Sequence, residues 1–330
     1  MTAPEPPLAD EASVIVLLPF AEGHVPGVLG LWERAVGPAF PLREALLRQV
    51  TLGNGDFRPG DAVVAMRHHD IVGFGLLGRY RGEDADRAAW RSSGWVTAIV
   101  VEPGSRRLGI GTGMHRHLLD TDGDGLDPAR VAAGGGPVWL FPGPPDDLPG
   151  ARAFFASLGY RFASTVADVR ADISGSTMPD ESRHLMARHR LVVRRANAID
   201  REVLSRFVRD EFGLGWWANA DRFFRSGGAI GDWLLLTQDG RIVGMAQLHH
   251  AGQAIIGPAR FWRPGPHMGG LGPIGIASSL RGLGLGLAFL HATMASLRDL
   301  GVDEAVADWT TLLDFYAKAG FTTWHTYATP

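Results

Sequence analysis

The sequence predicts two tandem α/β domains of the α+β kind, each a mixed, mostly antiparallel central sheet flanked by helices. Three observations predict it. The phrase RRLGIG at 106–111 returns as RGLGLG at 281–286, each time between an apolar strand-like run and an apolar helix-like run. The order of strand-like and helix-like segments around the first copy is repeated around the second, so the repeating unit is a whole domain and not a solenoid element. At 330 residues the chain also exceeds the size at which a single hydrophobic core usually stops growing. The expected division is an N-terminal domain over 1–170, a linker over 171–189 and a C-terminal domain over 190–330.

In the first half, SVIVLLPF (13–20) is a β-branched, strand-like run, and VLGLWERAV (28–36) and LREALLRQV (42–50) carry helical spacing. AVVAMR (62–67), the turn HHD (68–70), IVGFGLLGRY (71–80) and GWVTAIVVEP (94–103) then read as an antiparallel meander. After the glycine phrase come a helix, TGMHRHLLD (112–120), a strand, PVWLF (137–141), a helix, GARAFFASLGY (150–160), and a last strand, RFASTVADV (161–169). The second half repeats the order. RLVVRRA (190–196) is a strand, IDREVLSRFVRDEF (199–212) a helix, and DWLLLTQDGRIVGMAQLHH (232–250) a hairpin whose QDG supplies the turn. GPIGIAS (272–278) precedes the second glycine phrase, LAFLHATMASLRDLG (287–301) is a helix ended by glycine, DEAVADW (303–309) a strand, and LLDFYAKAGF (312–321) the counterpart of ARAFFASLGY. Residues 171–189 are polar without steady periodicity.

Composition narrows the function. A net charge of −3 leaves no basic field for nucleic acid or an anionic membrane, and no apolar run approaches a membrane span. The absence of cysteine removes disulfides, thiolate metal sites and a covalent acyl-cysteine. The acidic, proline-rich start MTAPEPPLADEAS lacks the basic and apolar regions of a signal peptide, so cytoplasmic residence is expected.

A glycine-dense loop that follows a strand and opens a helix leaves backbone N–H groups pointing outward, and the positive end of the helix dipole adds to them. That is an anion site suited to pyrophosphate. A phosphate-binding P-loop needs a lysine, and the single lysine here is Lys318. A dinucleotide fingerprint needs a third glycine, where this chain has Phe289 and Met114. What remains is Arg-x-x-Gly-x-Gly after a strand, with the aromatic helix FYAKAGF (315–321) downstream. This pattern resembles the GCN5-related N-acetyltransferase (GNAT) superfamily, and its presence in both halves resembles a tandem GNAT protein.

The resemblance implies that the loops bind the pyrophosphate of acetyl-coenzyme A and that the end of the preceding strand pairs with its pantetheine. Carried over residue by residue, the first site comprises Ile99 and Val101 with Arg106, Arg107, Leu108, Gly109, Ile110 and Gly111. The second comprises Ile274 and Ile276 with Arg281, Gly282, Leu283, Gly284, Leu285 and Gly286. Pro103 fits the family's lead-in, whereas Ser278 stands where its proline would be, and Trp309 where many members have an asparagine. The resemblance also places a proton-donating tyrosine at Tyr316, and the first half has Phe155 there, which cannot donate a proton. The C-terminal half is therefore the expected catalyst. The expected reaction is direct attack of a small-molecule primary amine on acetyl-coenzyme A, by a monomer or homodimer. A non-catalytic acyl-coenzyme A sensor with tandem domains is the alternative.

A general base is not singled out: Asp308 at a strand end, His249 or His250, and water-mediated deprotonation all stay open. The acidic stretch DTDGDGLD (120–127) has an EF-hand start, with Asp120, Asp122, Asp124 and Gly125, but Val131 stands where a bidentate glutamate is needed, so it reads as a solvated insertion. His115 and His117, two apart on a helix, point to different faces, and no metal is expected. Trp216 and Trp217 either stack on a sugar, cap an apolar acceptor, or pack in the core.

Overall fold

The computed structural model describes residues 14–120, 125–257 and 267–330. The N-terminal 1–13, Asp122 and Asp124 of the acidic stretch, and 258–266 of the glycine-rich connection lie outside the described residues. The chain forms two compact units, one of Met1–Gly82 with Ala89–Leu140, the other of Glu83–Ala88 with Phe141–Pro330.

The first unit contains β1 (Ile15–Pro19), α1 (Val25–Ala35), α2 (Glu44–Val50), β2 (Ala62–Arg67), β3 (Asp70–Arg79), β4 (Gly94–Val101), α3 (Ile110–Leu119) and β5 (Val131–Ala133). α1 carries proline in its first turn, where a missing N–H costs nothing, and buries Val25, Val28, Leu31 and Trp32 at helical spacing. The Trp32 indole N–H donates to the Phe40 carbonyl at 2.7 Å, which satisfies the ring's one polar atom inside the core. The sheet order is β1-β2-β3-β4-β5, and β4–β5 is its parallel pair. That pair lasts three residues, Gly94–Val96 against Val131–Ala133, and then β4 runs on to Val101 paired only with β3.

The second unit contains α4 (Ala151–Ser157), β6 (Ser164–Asp172), α5 (Asp180–Arg188), β7 (Leu191–Arg195), α6 (Arg201–Phe212), α7 (Leu214–Arg225), β8 (Trp233–Gln238), β9 (Arg241–His249), β10 (Met268–Ile276), α8 (Leu285–Asp299), β11 (Glu304–Thr310), α9 (Leu313–Ala317) and β12 (Thr322–Thr329). Its sheet order is β12-β6-β11-β10-β9-β8-β7. The β8–β9 turn places Asp239 at φ 48° and Gly240 at φ 79°, the left-handed pair that a two-residue hairpin turn requires. Side-chain alternation divides the core between two faces. Leu234, Leu236, Ala246 and Leu248 pack with α5, α8 and α9 on one. Trp233, Leu235 and Met245 pack with α6 and α7 on the other. β10 and β11 repeat the parallel pairing of the first unit: three residues, Met268–Gly270 against Glu304–Val306, and then separation.

Four expectations change. The apolar run 137–141 is buried but carries no strand; instead the short β5 precedes it, and the carbonyl of Val138 accepts from Thr97 Oγ1 at 3.3 Å. The strand expected over 161–169 at the end of the first domain runs over Ser164–Asp172 and lies in the second unit's sheet between β11 and β12. The stretch expected to be a plain linker contains α5, whose Ser182 hydroxyl lies 3.0 Å from His291 Nδ1 on α8. A further strand, β12, follows the final helix. The aromatic cluster 213–224 is α7, a helix that directly continues α6 after Gly213.

Candidate functional site

Both glycine loops have the same backbone. Gly109 and Gly284 adopt the left-handed conformation, φ 79° and 76°, immediately before the first residues of α3 and α8. Two residues earlier Arg107 and Gly282 do the same, φ 68° and 79°. The second copy uses glycine where the first forces an arginine into a conformation that L-residues disfavour. Each loop thus turns its chain directly into a helix whose leading N–H groups lack intrahelical acceptors. Residues 106–109 and 281–284 are exposed, and Ile110 and Leu285 anchor the helices by burial.

The strands that lead into the loops present free backbone on one side. Ala277 N–H donates to the Val243 carbonyl at 2.7 Å. By the alternation of an antiparallel ladder, Gly275 and Ala277 face β9, while Ile274 and Ile276 turn their amides to the side that β11 has left. In the first unit Glu102 N–H donates to the Val72 carbonyl at 2.9 Å, so Ile99 and Val101 are the corresponding outward pair. The gap arises because the parallel pairing stops after three residues in both units.

The loops differ in their surroundings. Arg106 is committed to backbone: its guanidinium donates to the Val101 and Ala35 carbonyls at 3.2 and 3.0 Å. The Arg281 side chain makes no hydrogen bond or ion pair among the described residues, while its backbone N–H donates to the Ser278 carbonyl at 3.3 Å. Ser278, in the place of the usual proline, donates its N–H to a Glu211 carboxylate oxygen at 2.9 Å, a bond that proline cannot make. That bond ties the end of α6 to the loop.

Tyr316 lies on α9, with only 6% of its surface exposed. Phe315 beside it lies in van der Waals reach of Gly286, so α9 packs on the first turn of α8. Burial, and next the charge of Asp308, push the Tyr316 hydroxyl pKa well above the usual phenol range, and the group holds its proton at neutral pH. Tyr316 meets Phe315 and Phe321 edge-on at 5.3 and 5.4 Å. In the first repeat Phe155 meets Phe154 and Tyr160 at 5.3 and 5.5 Å. The aromatic packing is kept while hydroxyl and hydrogen exchange places, and burial raises the Tyr160 pKa to about 12.

Asp308 sits where β11 shifts register against β6, between Ala307 and Thr310. Asp168 of β6 braces this irregularity: its carboxylate accepts from the Trp309 N–H at 3.1 Å and from the Tyr327 hydroxyl at 2.7 Å. Trp309 there takes φ 49° and remains 40% exposed. The structure therefore brings Tyr316 and Asp308 together electrostatically. His249 alternates with Leu248 toward the α6–α7 face, and its Nε2 lies 3.0 Å from the Gly272 carbonyl. A carbonyl only accepts, so Nε2 carries the proton and the ring's lone pair is on Nδ1. His250 turns to Asp232 at 3.4 Å and to the Ala251 carbonyl at 3.0 Å. Trp217 donates to Ser205 and stacks under Arg87 at 4.6 Å, whereas Trp216 stacks on Phe212 with ring centroids 4.6 Å apart.

Sequence reasoning missed Asp168, Glu211 and the kink in β10. Gly272–Pro273 within a strand was the available signal for that kink, because proline in a sheet marks a bulge. β10 indeed skips two residues there against one on β9. The carboxylates gave no signal, since their partners are remote in sequence. Among the described residues no group of three or more His, Cys, Asp or Glu side chains is placed to hold a metal ion. No helix among them is long and apolar enough to cross a membrane.

A parallel strand pair that opens above a left-handed glycine turn is built once in each unit, and the comparisons with known proteins make the chain an acyltransferase. Residues 201–321 match the model of the "Acetyltransferase (GNAT) family". The family match lies within the second unit, and the chain as a whole has the fold of tandem GNAT structures. It is 28% identical over 248 residues to the mycothiol acetyltransferase of Sanguibacter keddieii, covering 68% of this chain and 70% of that protein. Its fold matches the GCN5-related glucosamine N-acetyltransferase region of a fungal multi-domain GH3 β-N-acetylglucosaminidase with a TM-score of 0.83 at 23% identity, over 95% of this chain. The chain spans 37% of that larger protein. A tandem GNAT protein from the clavulanic acid biosynthesis pathway matches with a TM-score of 0.61 at 17% identity, covering 96% and 97% of the two chains.

Proposed function

We propose that the chain is an acetyl-coenzyme A-dependent N-acetyltransferase whose second unit transfers an acetyl group to a small-molecule primary amine by direct attack. The observation that carries this reading is the combination, in one unit, of exposed loop amides, two outward strand amides and a buried, protonated tyrosine against the same helix. The residues fit the donor. The amides of Gly282–Gly286 at the start of α8 offer an anion cradle for a pyrophosphate, with the Arg281 guanidinium unengaged beside it. Ile274 and Ile276 offer the hydrogen-bonding edge for an amide-rich pantetheine arm, and Ile274 N–H is placed to polarise a carbonyl. In the first unit Ile99, Val101 and Arg106–Gly111 offer the same backbone edge and cradle for a second coenzyme A.

Bound acetyl-coenzyme A supplies an activated thioester, whose carbon–sulfur bond breaks as the carbon–nitrogen bond to the amine forms. The departing sulfur needs a proton, and Tyr316 holds one at neutral pH because burial and the Asp308 charge disfavour its ionised form. The amine must shed its own proton, and Asp308, His249 through its Nδ1, and ordered water are the routes proposed for it. The low-identity relationship to mycothiol acetyltransferases supports a small-molecule acceptor.

The test is mass spectrometry of the full chain incubated with acetyl-coenzyme A and a panel of primary amines. Acetylated amine and free coenzyme A in equal amounts are expected. Retained coenzyme A binding with no product from any amine would instead identify an acyl-coenzyme A sensor.

A further inference from the structure

Gln247 lies on β9 opposite the kink in β10. The register passes from Leu271↔Leu248 to Ile274↔Ala246, so Gln247 alone faces Gly272 and Pro273. On its other side it pairs with Trp233 of β8. Ala246 and Leu248 belong to the core under α8, and Met245 to the core under α6 and α7. Alternation therefore points Gln247 to the α6–α7 face. One residue pair further along that face, Met245↔Gly275, the strand carries no side chain on β10, and Phe212 and Trp216 close in on the backbone. A Cβ added at Gly275 would stand 2.5 Å from Phe212 Cε1 and 3.2 Å from Trp216 Cζ3.

Gln247 is 4% exposed, yet among the described residues its amide makes no hydrogen bond and is not sealed from solvent. Trp233 is fully buried, and among the described residues its indole N–H has no acceptor. An amide offers two donors and an acceptor to whatever enters beside it. A solvent-reached amide on a residue 4% exposed, paired across the strands with a buried indole N–H, marks a narrow polar recess that an occupant can fill. A neutral amide both donates and accepts, so it matches a hydroxyl or amide and gives no Coulomb preference for a charged group.

We infer that Gln247, with the Trp233 N–H beside it and the Phe212–Trp216 stack as a wall, is an acceptor subsite that holds a neutral hydrogen-bonding group, a hydroxyl or amide, carried close to the reactive amine. This rests on the proposed placement of the reacting carbonyl at Ile274, the next residue of β10 past the kink. The aromatic wall covers the carbon skeleton of the acceptor, and the amide reads its polar substituent. A site built around such a bond discriminates strongly against analogues that lack the group, because its own polar atoms are then left unpaired.

The test uses two probes that differ by one hydroxyl, trans-2-aminocyclohexanol and cyclohexylamine, titrated calorimetrically into the full chain saturated with coenzyme A. The unmodified protein binds the amino alcohol at least about tenfold more tightly, and Gln247→Leu removes that preference while binding cyclohexylamine as before. An unchanged melting temperature shows that the variant is folded, and Gln247→Asn, which keeps the amide on a shorter stem, retains part of the preference. No preference in the unmodified protein, or an equal effect of Gln247→Leu on both probes, overturns the subsite. Acetylation assays on the same samples separate the two readings. Selective binding with no acetylated product overturns the transferase reading, and acetylation without any change in selectivity overturns the subsite.

Discussion

Replacing Tyr316 with phenylalanine separates chemistry from packing. The ring keeps its edge-on contacts with Phe315 and Phe321, because the first repeat already packs a phenylalanine, Phe155, at nearly the same spacing. What disappears is one buried hydroxyl. Burying a hydroxyl without a strong partner costs about 1–3 kcal/mol, so the variant is expected to be as stable as the parent or slightly more so. The loss falls on turnover. A positioned general acid contributes roughly 10²–10⁴ in rate, which at about 1.4 kcal/mol per tenfold is about 3–5.5 kcal/mol of barrier. Coenzyme A affinity is expected to stay within about twofold, since the cradle amides lie on another element. Steady-state coenzyme A release, calorimetric titration with coenzyme A and thermal melting measure the three quantities. A kcat within threefold of the parent would refute the acid role. A parallel fall in stability and activity would show that Tyr316 is a packing residue.

Other perturbations probe the frame around it. Gly284→Ala places a side chain at φ 76°, where the new Cβ meets only Leu185 at an ordinary 3.4 Å, so the cost is conformational. About 1–2 kcal/mol of stability is expected to be lost, with weaker coenzyme A binding, and chemical denaturation with titration reads both. Gly275→Val drives a side chain into Phe212 and Trp216, and about 1–3 kcal/mol of destabilisation with a shifted tryptophan emission is expected. Asp200 accepts two bonds of 2.7 Å from Arg194, and these, ahead of the Asn197 N–H, hold its carboxyl below the usual range. Because the folded value is the lower one, this stabilisation is complete above the ordinary aspartate range near about 4 and drains away as pH falls through the folded value. Asp200→Asn should flatten the acid limb of a denaturation midpoint plotted against pH, and an unaltered limb would assign acid lability elsewhere.

The loops were readable because their chemistry limits which residues can appear. A left-handed turn into a helix selects glycine at 109 and 284, and the repeat made the assignment specific. Arg107 shows the limit of that code: it adopts the same conformation as Gly282 without announcing it. The run at 137–141 was misread as a strand because burial alone produces an apolar run, and burial there comes without a ladder. α5 escaped notice because a nine-residue polar helix gains its stability from packing against α8 and not from its own periodicity.

By itself the sequence determined the local parts: two glycine turns, the hairpins beside them, and a tyrosine in just one of two matching aromatic helices. Those choices are written in backbone conformation and in side-chain chemistry, which act over a few residues. Tertiary structure alone decided which sheet receives the strand 164–172, and so brought Asp168 to the irregular end of β11 beside Asp308. It also decided that His249 spends its proton on Gly272 and that Gln247 is buried opposite the kink. Strand alternation is the same whichever sheet a strand joins, and pairing across more than a hundred residues is set by the competition between whole surfaces.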